Sequence, residues 1–246
     1  GKELANFMAI LGSINGIAPV CAPVIGGLMA GLTNWQGVFG LLLGVGIILM
    51  FCSARLPETS TPEKRIQKSI MQVYANLFRV FRNRLFTLST LAEMACFFTF
   101  FAYISSSPFI LQQIYGLSPF HFSLCFALNA LTIGIGAALG PQFKHTNTAL
   151  KCGAIDFMIA AVCLSFCLYV HAHLVVVMGF YIYLMISFGL MQPGLTATAL
   201  DAERKNAGAA SAIFGAAGFL AGAISSPIVA LGKIEVSSSI VMIVGA

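Results

Sequence analysis

The chain has 246 residues, 59% of them hydrophobic and 9% charged, with a formal net charge of +5. A soluble domain carries about 25% charged residues, so this composition excludes an ordinary soluble enzyme and implies an integral membrane protein. Seven cysteines, at 21, 52, 96, 125, 152, 163 and 167, are scattered through apolar stretches without paired spacing and read as packing residues, not as disulfides or metal ligands.

A span needs about 20 apolar residues. In chain order, spans are predicted at 5–31, 36–54, 86–111, 119–141, 149–170, 174–200 and 207–231, with an eighth that starts near 237 and is cut at Ala246. Gly1 is not a start methionine, so the chain reads as part of a longer one. The first span is unusual. Ala9 to Gly31 contains Gly12, Gly16, Gly26, Gly27 and Gly31 together with Pro19 and Pro23, and no charge. In water, interior prolines cost a helix about 3 kcal/mol and glycines about 1. The segment is therefore predicted to be a bent transmembrane helix packed closely on its neighbours. Ala18, Ala22 and Gly26 recur every fourth position and form a smooth face for another helix.

The one long connection runs from Arg55 to Leu85. It is polar at first and then periodic, with Ile66, Ile70, Val73, Leu77 and Val80 on one side, which predicts an amphipathic helix on the inner leaflet. It divides the chain into 1–54, a linker at 55–85, and 86–246. If successive loops alternate sides, every Lys and Arg except Lys233 falls on one side, which the positive-inside rule makes cytoplasmic. The positive charge then belongs to inner-leaflet loops and does not call for a nucleic-acid partner. A short echo, MAILG at 8–12 and SAIFG at 211–215, lies six helices apart, as two parallel six-helix repeats would place it.

Several segments resemble a known family. Ala9, Ala18, Ala22, Pro23, Gly26 and Gly27 fall on the pattern G-x8-G-x3-G-P-x2-G-G, with alanine at three glycine positions. Further landmarks are Trp35-Gln36-x-x-Phe39, Leu56-Pro57-Glu58-Thr59, the run SSPFILQQIYGLSPFHFSLCFALNAL from Ser106 to Leu131, and PGLTATAL at 193–200. On these residues the chain resembles the major facilitator superfamily, within it the drug:proton antiporters of the bicyclomycin and chloramphenicol resistance type (Bcr/CflA). Gly194, where that group usually has asparagine, and the loop QFKHTNTALK depart from its pattern. The resemblance implies an all-α membrane bundle of two six-helix halves, seen here from the fifth helix to a truncated twelfth. It also implies export of small drug-like compounds in exchange for protons by alternating access, driven by a proton gradient without a cofactor, in a bacterial inner membrane, by a monomer when full length. Ala18, Ala22, Pro23, Gly26 and Gly27 would then be a packing motif against the opposite half. The alternatives are export of a specific metabolite, such as an amino acid or sugar derivative, and a truncated, non-functional transporter. An intramembrane enzyme would need convergent catalytic groups at matching depth, and the sequence offers none.

Few side chains could carry coupling. Glu93 lies inside an apolar span, where a carboxylate costs roughly 2.5–3.5 kcal/mol on insertion scales. It is a proton-coupling candidate, or else the partner of Arg82, Arg84 or a loop lysine. Asp156 is a second candidate, with a first-turn residue stabilised by the helix dipole as the simpler account. Asn129 must find a partner in the bundle or in a cavity. Gln192-Pro193-Gly194 is expected to break or kink its helix, with Gln192 and Thr196 as cavity candidates. Phe97 and Phe101, in a cluster with Phe98, Phe100 and Tyr103, suit either an adaptable drug cavity or a lipid-facing surface. His171 and His173 have no further ligand nearby, so no metal site is expected.

Overall fold

A computed structural model describes residues 21–29, 31–56, 77 and 79–246. Most of the first predicted span, Ala9 and Ala18 included, and nearly all of the amphipathic linker lie outside the described residues. Residues 21–29 are helical, and seven further helices follow. They are α1 (Trp35–Ala54), α2 (Arg84–Phe109), α3 (Pro119–Leu139), α4 (Thr146–Tyr169), α5 (Leu174–Ala202), α6 (Ala207–Val229) and α7 (Ile234–Gly245). No strand occurs among the described residues. Among the described residues, six helices are long and apolar enough to cross a membrane, and α7 is a shorter apolar helix.

Polar residues set the helix starts. Asn83 precedes α2, its side chain accepting from the backbone N–H of Leu85 and Phe86, and Ser118 caps α3 by accepting from His121 N–H, with Pro119 at the first helical position. Between the caps the helices are apolar on all sides, the pattern of a chain whose solvent is itself apolar. Large side chains such as Leu91, Ile135, Ile155, Phe166 and Phe219 point outward. Pro108 interrupts the hydrogen-bond ladder near the end of α2, and the chain continues as a π-helical turn over Ile110–Ile114.

α2 packs against α5, α6 and α7, while α5 packs against α3 and α4, and α7 fills the space between α2 and α4. The α3–α5 contact is the closest-fitting. A Cβ on Gly136 would collide with the Ile186 carbonyl, and one on Gly189 would collide with the Ile133 carbonyl, so each helix supplies the glycine that admits the other's backbone. α1 has no buried residue and, among the described residues, packs on no other helix extensively.

Candidate functional site

Glu93 is 4% exposed and lies well inside α2. The Gln192 side chain, reaching from α5, lies against its carboxyl. Even so, Glu93 Oε2 and Gln192 Nε2 have no hydrogen-bond partner of good geometry among the described residues. Buried polar atoms left in this way cost about 1–3 kcal/mol each, which bundles tolerate mainly where a polar group has work to do. The sequence left open an ion pair with Arg82 or Arg84. Both arginines are exposed at the start of the helix, and the ion pair among the described residues is instead Arg204–Asp201, in the turn after α5.

Outward from Glu93, half-buried phenylalanines of α2 meet aromatic neighbours on α5 and α6. Phe97 contacts Phe188 of α5 and Phe219 of α6 at ring-centroid distances of 5.7 and 6.3 Å. It rests above Gly218, and Phe101 rests above Gly222 one turn further along α6. Phe100 stacks on Phe188 at 4.6 Å with the planes 13° apart.

Beyond this layer is a second polar group. Asn129 of α3 is 1% exposed and its Nδ2 donates to Tyr103 Oη at 2.9 Å, so its amide has found a partner in the bundle. Tyr103 also stacks on Phe126 at 5.5 Å and meets Tyr181 of α5 at 5.1 Å. Ser107 lies against Tyr103 and Ser106 against Tyr181, yet Ser107 Oγ, Asn129 Oδ1 and Tyr181 Oη have no hydrogen-bond partner of good geometry among the described residues.

Two cavities flank the group. One of about 280 Å³ is lined by Ala22, Pro23, Phe100, Tyr103, Phe126 and Asn129 among others. The other, about 590 Å³, lies between Pro23, Gly26 and Gly27 on one side and Gln112, Ser123 and Phe126 on the other. Helix 21–29 thus faces α2 and α3. Its two glycines differ, since a Cβ on Gly27 would strike the Ser123 side chain whereas one on Gly26 would meet nothing within 4 Å.

One expectation is corrected. Asp156 is not in the first turn of its helix, because α4 begins at Thr146. It is half-buried and accepts a 2.7 Å hydrogen bond from Tyr183 Oη of α5, so a side chain and not the helix dipole satisfies it. Gln192-Pro193-Gly194, read first as a kink, lies within α5, which continues through Pro193 to Ala202. Proline removes one backbone donor but its φ suits a helix, and Thr198 Oγ1 donates back to the Gly194 carbonyl at 2.7 Å. Thr196 is half-buried in the same stretch.

Phe188, Tyr181 and Ser107 were not singled out in the sequence. Tyr181 carried a usable signal, a hydroxyl in the middle of an apolar span. Ser107, in a run of three serines, and Phe188, one of 21 phenylalanines, gain their meaning only from the helix opposite.

The family model of the Major Facilitator Superfamily matches residues 1–226. The uncharacterized MFS-type transporter YdgK of Bacillus subtilis is 33% identical over 240 residues, which cover 95% of this chain and 60% of that protein. A bicyclomycin resistance protein homolog of Haemophilus influenzae is 23% identical over 99% of this chain and 62% of its own length. A chloramphenicol resistance protein of Pseudomonas aeruginosa is 30% identical over 54% of this chain and 31% of its own length. The chain therefore spans about three-fifths of the length of the first two relatives. Membrane-length helices, a bundle with polar groups held inside it, and a family match along most of the sequence agree: the chain is a multi-pass membrane protein that belongs to the major facilitator superfamily, a family of transporters and not of enzymes.

Proposed function

We propose that the protein is a proton-coupled exporter of small, partly apolar, drug-like molecules in a bacterial cytoplasmic membrane, working by alternating access without a cofactor. The observation that carries this reading is Glu93, a carboxyl buried in the bundle with no cationic partner among the described residues and set against an aromatic wall. A group so placed can take a proton when the site is open to one side and release it when open to the other, because each charge state is favoured by a different exposure to water. The apolar cavities beside helix 21–29 supply adaptable walls with few polar anchors, which suits varied hydrophobic cargo better than one fixed metabolite. The names of the relatives, bicyclomycin, chloramphenicol and multidrug resistance proteins, favour the same cargo class.

The test is export of ethidium and chloramphenicol from energised cells producing the full-length protein, with and without a protonophore. Export that collapses with the gradient is expected, and Glu93→Gln should reduce it to the level of cells lacking the transporter. A broad compound panel with no gradient-dependent export would overturn the assignment, and pH-dependent export by Glu93→Gln would remove Glu93 from the coupling step.

A further inference from the structure

Among the described residues, the buried side-chain polar atoms without a hydrogen-bond partner of good geometry are Glu93 Oε2, Gln192 Nε2, Ser107 Oγ, Asn129 Oδ1 and Tyr181 Oη. They fall into two groups, Glu93 of α2 with Gln192 of α5, and Ser107 of α2 with Tyr181 of α5 and Asn129 of α3; α2 and α5 run in opposite directions. Read outward along α2, the order is Glu93, Phe100, Tyr103, Ser107; read backward along α5, it is Gln192, Phe188, Tyr181. At 1.5 Å per residue, Phe100 stands about 10 Å beyond Glu93 and Tyr103 about 15 Å. The 4.6 Å stack of Phe100 on Phe188 sits between the two groups, with Phe97 and Phe157 packed around Phe188 at 5.7 and 6.3 Å.

We infer that the Phe100–Phe188 stack is an apolar seal across a proton route, dividing an outer station built from Tyr103, Ser107, Asn129 and Tyr181 from an inner acceptor at Glu93 and Gln192. The inference rests on the reading of Glu93 as the coupling group. Water entering from the outer side hydrogen-bonds to the orphaned atoms of the outer station. When the rings part, the water chain extends to Glu93, and a proton carried along it protonates the carboxylate to the neutral acid. Only O–H bonds form and break, and the water is regenerated. With the rings stacked, aromatic surface separates the stations, and the hydroxyls at that level, Thr99 and Ser187, already donate to the carbonyls of Met242 and Tyr183. Phe100 also lines the 280 Å³ cavity, so a ligand there and the closed seal compete for one ring, which ties the opening of the route to cargo.

The groups that could compete with Glu93 for the proton are few. Gln192, an amide that does not titrate, is its polar neighbour on α5, where the titratable residues are Tyr181, Tyr183 and Asp201. α6 carries none, α7 carries only Glu235 at its outer start, and Cys96 follows one turn later on α2 itself.

The test is substrate-free proton entry into liposomes that hold the full-length protein and an entrapped pH dye, after acidification outside. Phe100→Ser is expected to let protons in several-fold faster than wild type, Phe100→Leu to remain tight because it keeps the apolar bulk, and Phe100→Ser with Glu93→Gln to return to the wild-type rate. Phe188→Ser repeats the test from the opposite ring should Phe100→Ser lose its single sharp peak in size-exclusion chromatography. Tight Phe100→Ser and Phe188→Ser proteins overturn the seal, and a leak undiminished by Glu93→Gln overturns its inner end. Proton-driven export retained by Glu93→Gln alone overturns the coupling reading without touching the seal.

Discussion

The Tyr183–Asp156 bond shows how a polar side chain is accommodated in this bundle, by a partner on the next helix instead of by water. Asp156→Ala and Tyr183→Phe should each cost about 1–3 kcal/mol of stability, because each leaves the other's polar atom without its partner, and the double variant should cost less than the sum of the two, because both remove one interaction. Thermal unfolding in detergent, arranged as a double-mutant cycle, measures this, and additive losses would mean that the two residues act separately. Glu93 and Asn129 could be picked out from sequence because a polar residue amid apolar ones is conspicuous. Their partners could not. Nothing along the chain says that Tyr103 will meet Asn129 or that Gln192 will lie against Glu93, since both pairings depend on how helices rotate about their own axes.

At the level of the helices, length and polar punctuation were enough. The described spans from Trp35 onward begin and end within a few residues of their predicted limits, because Asn, Ser and basic loops interrupt otherwise apolar runs. Which glycines matter was not legible, since 24 of them look alike in a list. The reciprocal pair Gly136 and Gly189 should each tolerate no side chain. Replacement by valine should destabilise the fold by about 1–3 kcal/mol or more, the usual cost of overpacking, whereas Gly134→Ala, with nothing within 4 Å of its Cβ, should be neutral. Melting temperature and yield of the detergent-solubilised protein report the difference. In helix 21–29 the same distinction predicts that Gly27→Val impairs transport through the Ser123 contact while Gly26→Ala does not.

At the scale of the whole molecule, two cavities lie where helix 21–29 meets α2 and α3. Cavities that hold drug-sized ligands run from about 300 to 1,000 Å³, and the 590 Å³ space falls within that range. A cysteine placed at Gln112, which lines it, in an otherwise cysteine-free protein should react with a maleimide more slowly when an exported compound is present. Equal rates with and without transported cargo would place the cargo elsewhere. The assignment to a transporter family could be read from composition and short motifs, but the location of this space could not, because it arises from faces of three separate helices.

The exposure of α1 also has an optical consequence. The chain's single tryptophan, Trp35, lies at the start of that helix, 68% exposed, with Phe39 as its ring neighbour. The interior aromatics of the bundle are all phenylalanine and tyrosine, so excitation at the red edge sees α1 alone. Trp35→Phe would leave the protein dark at that wavelength, and Phe219→Trp, added on that background, would put one emitter beside Phe97 and Phe101, where its colour and quenching follow the bundle as it opens and closes.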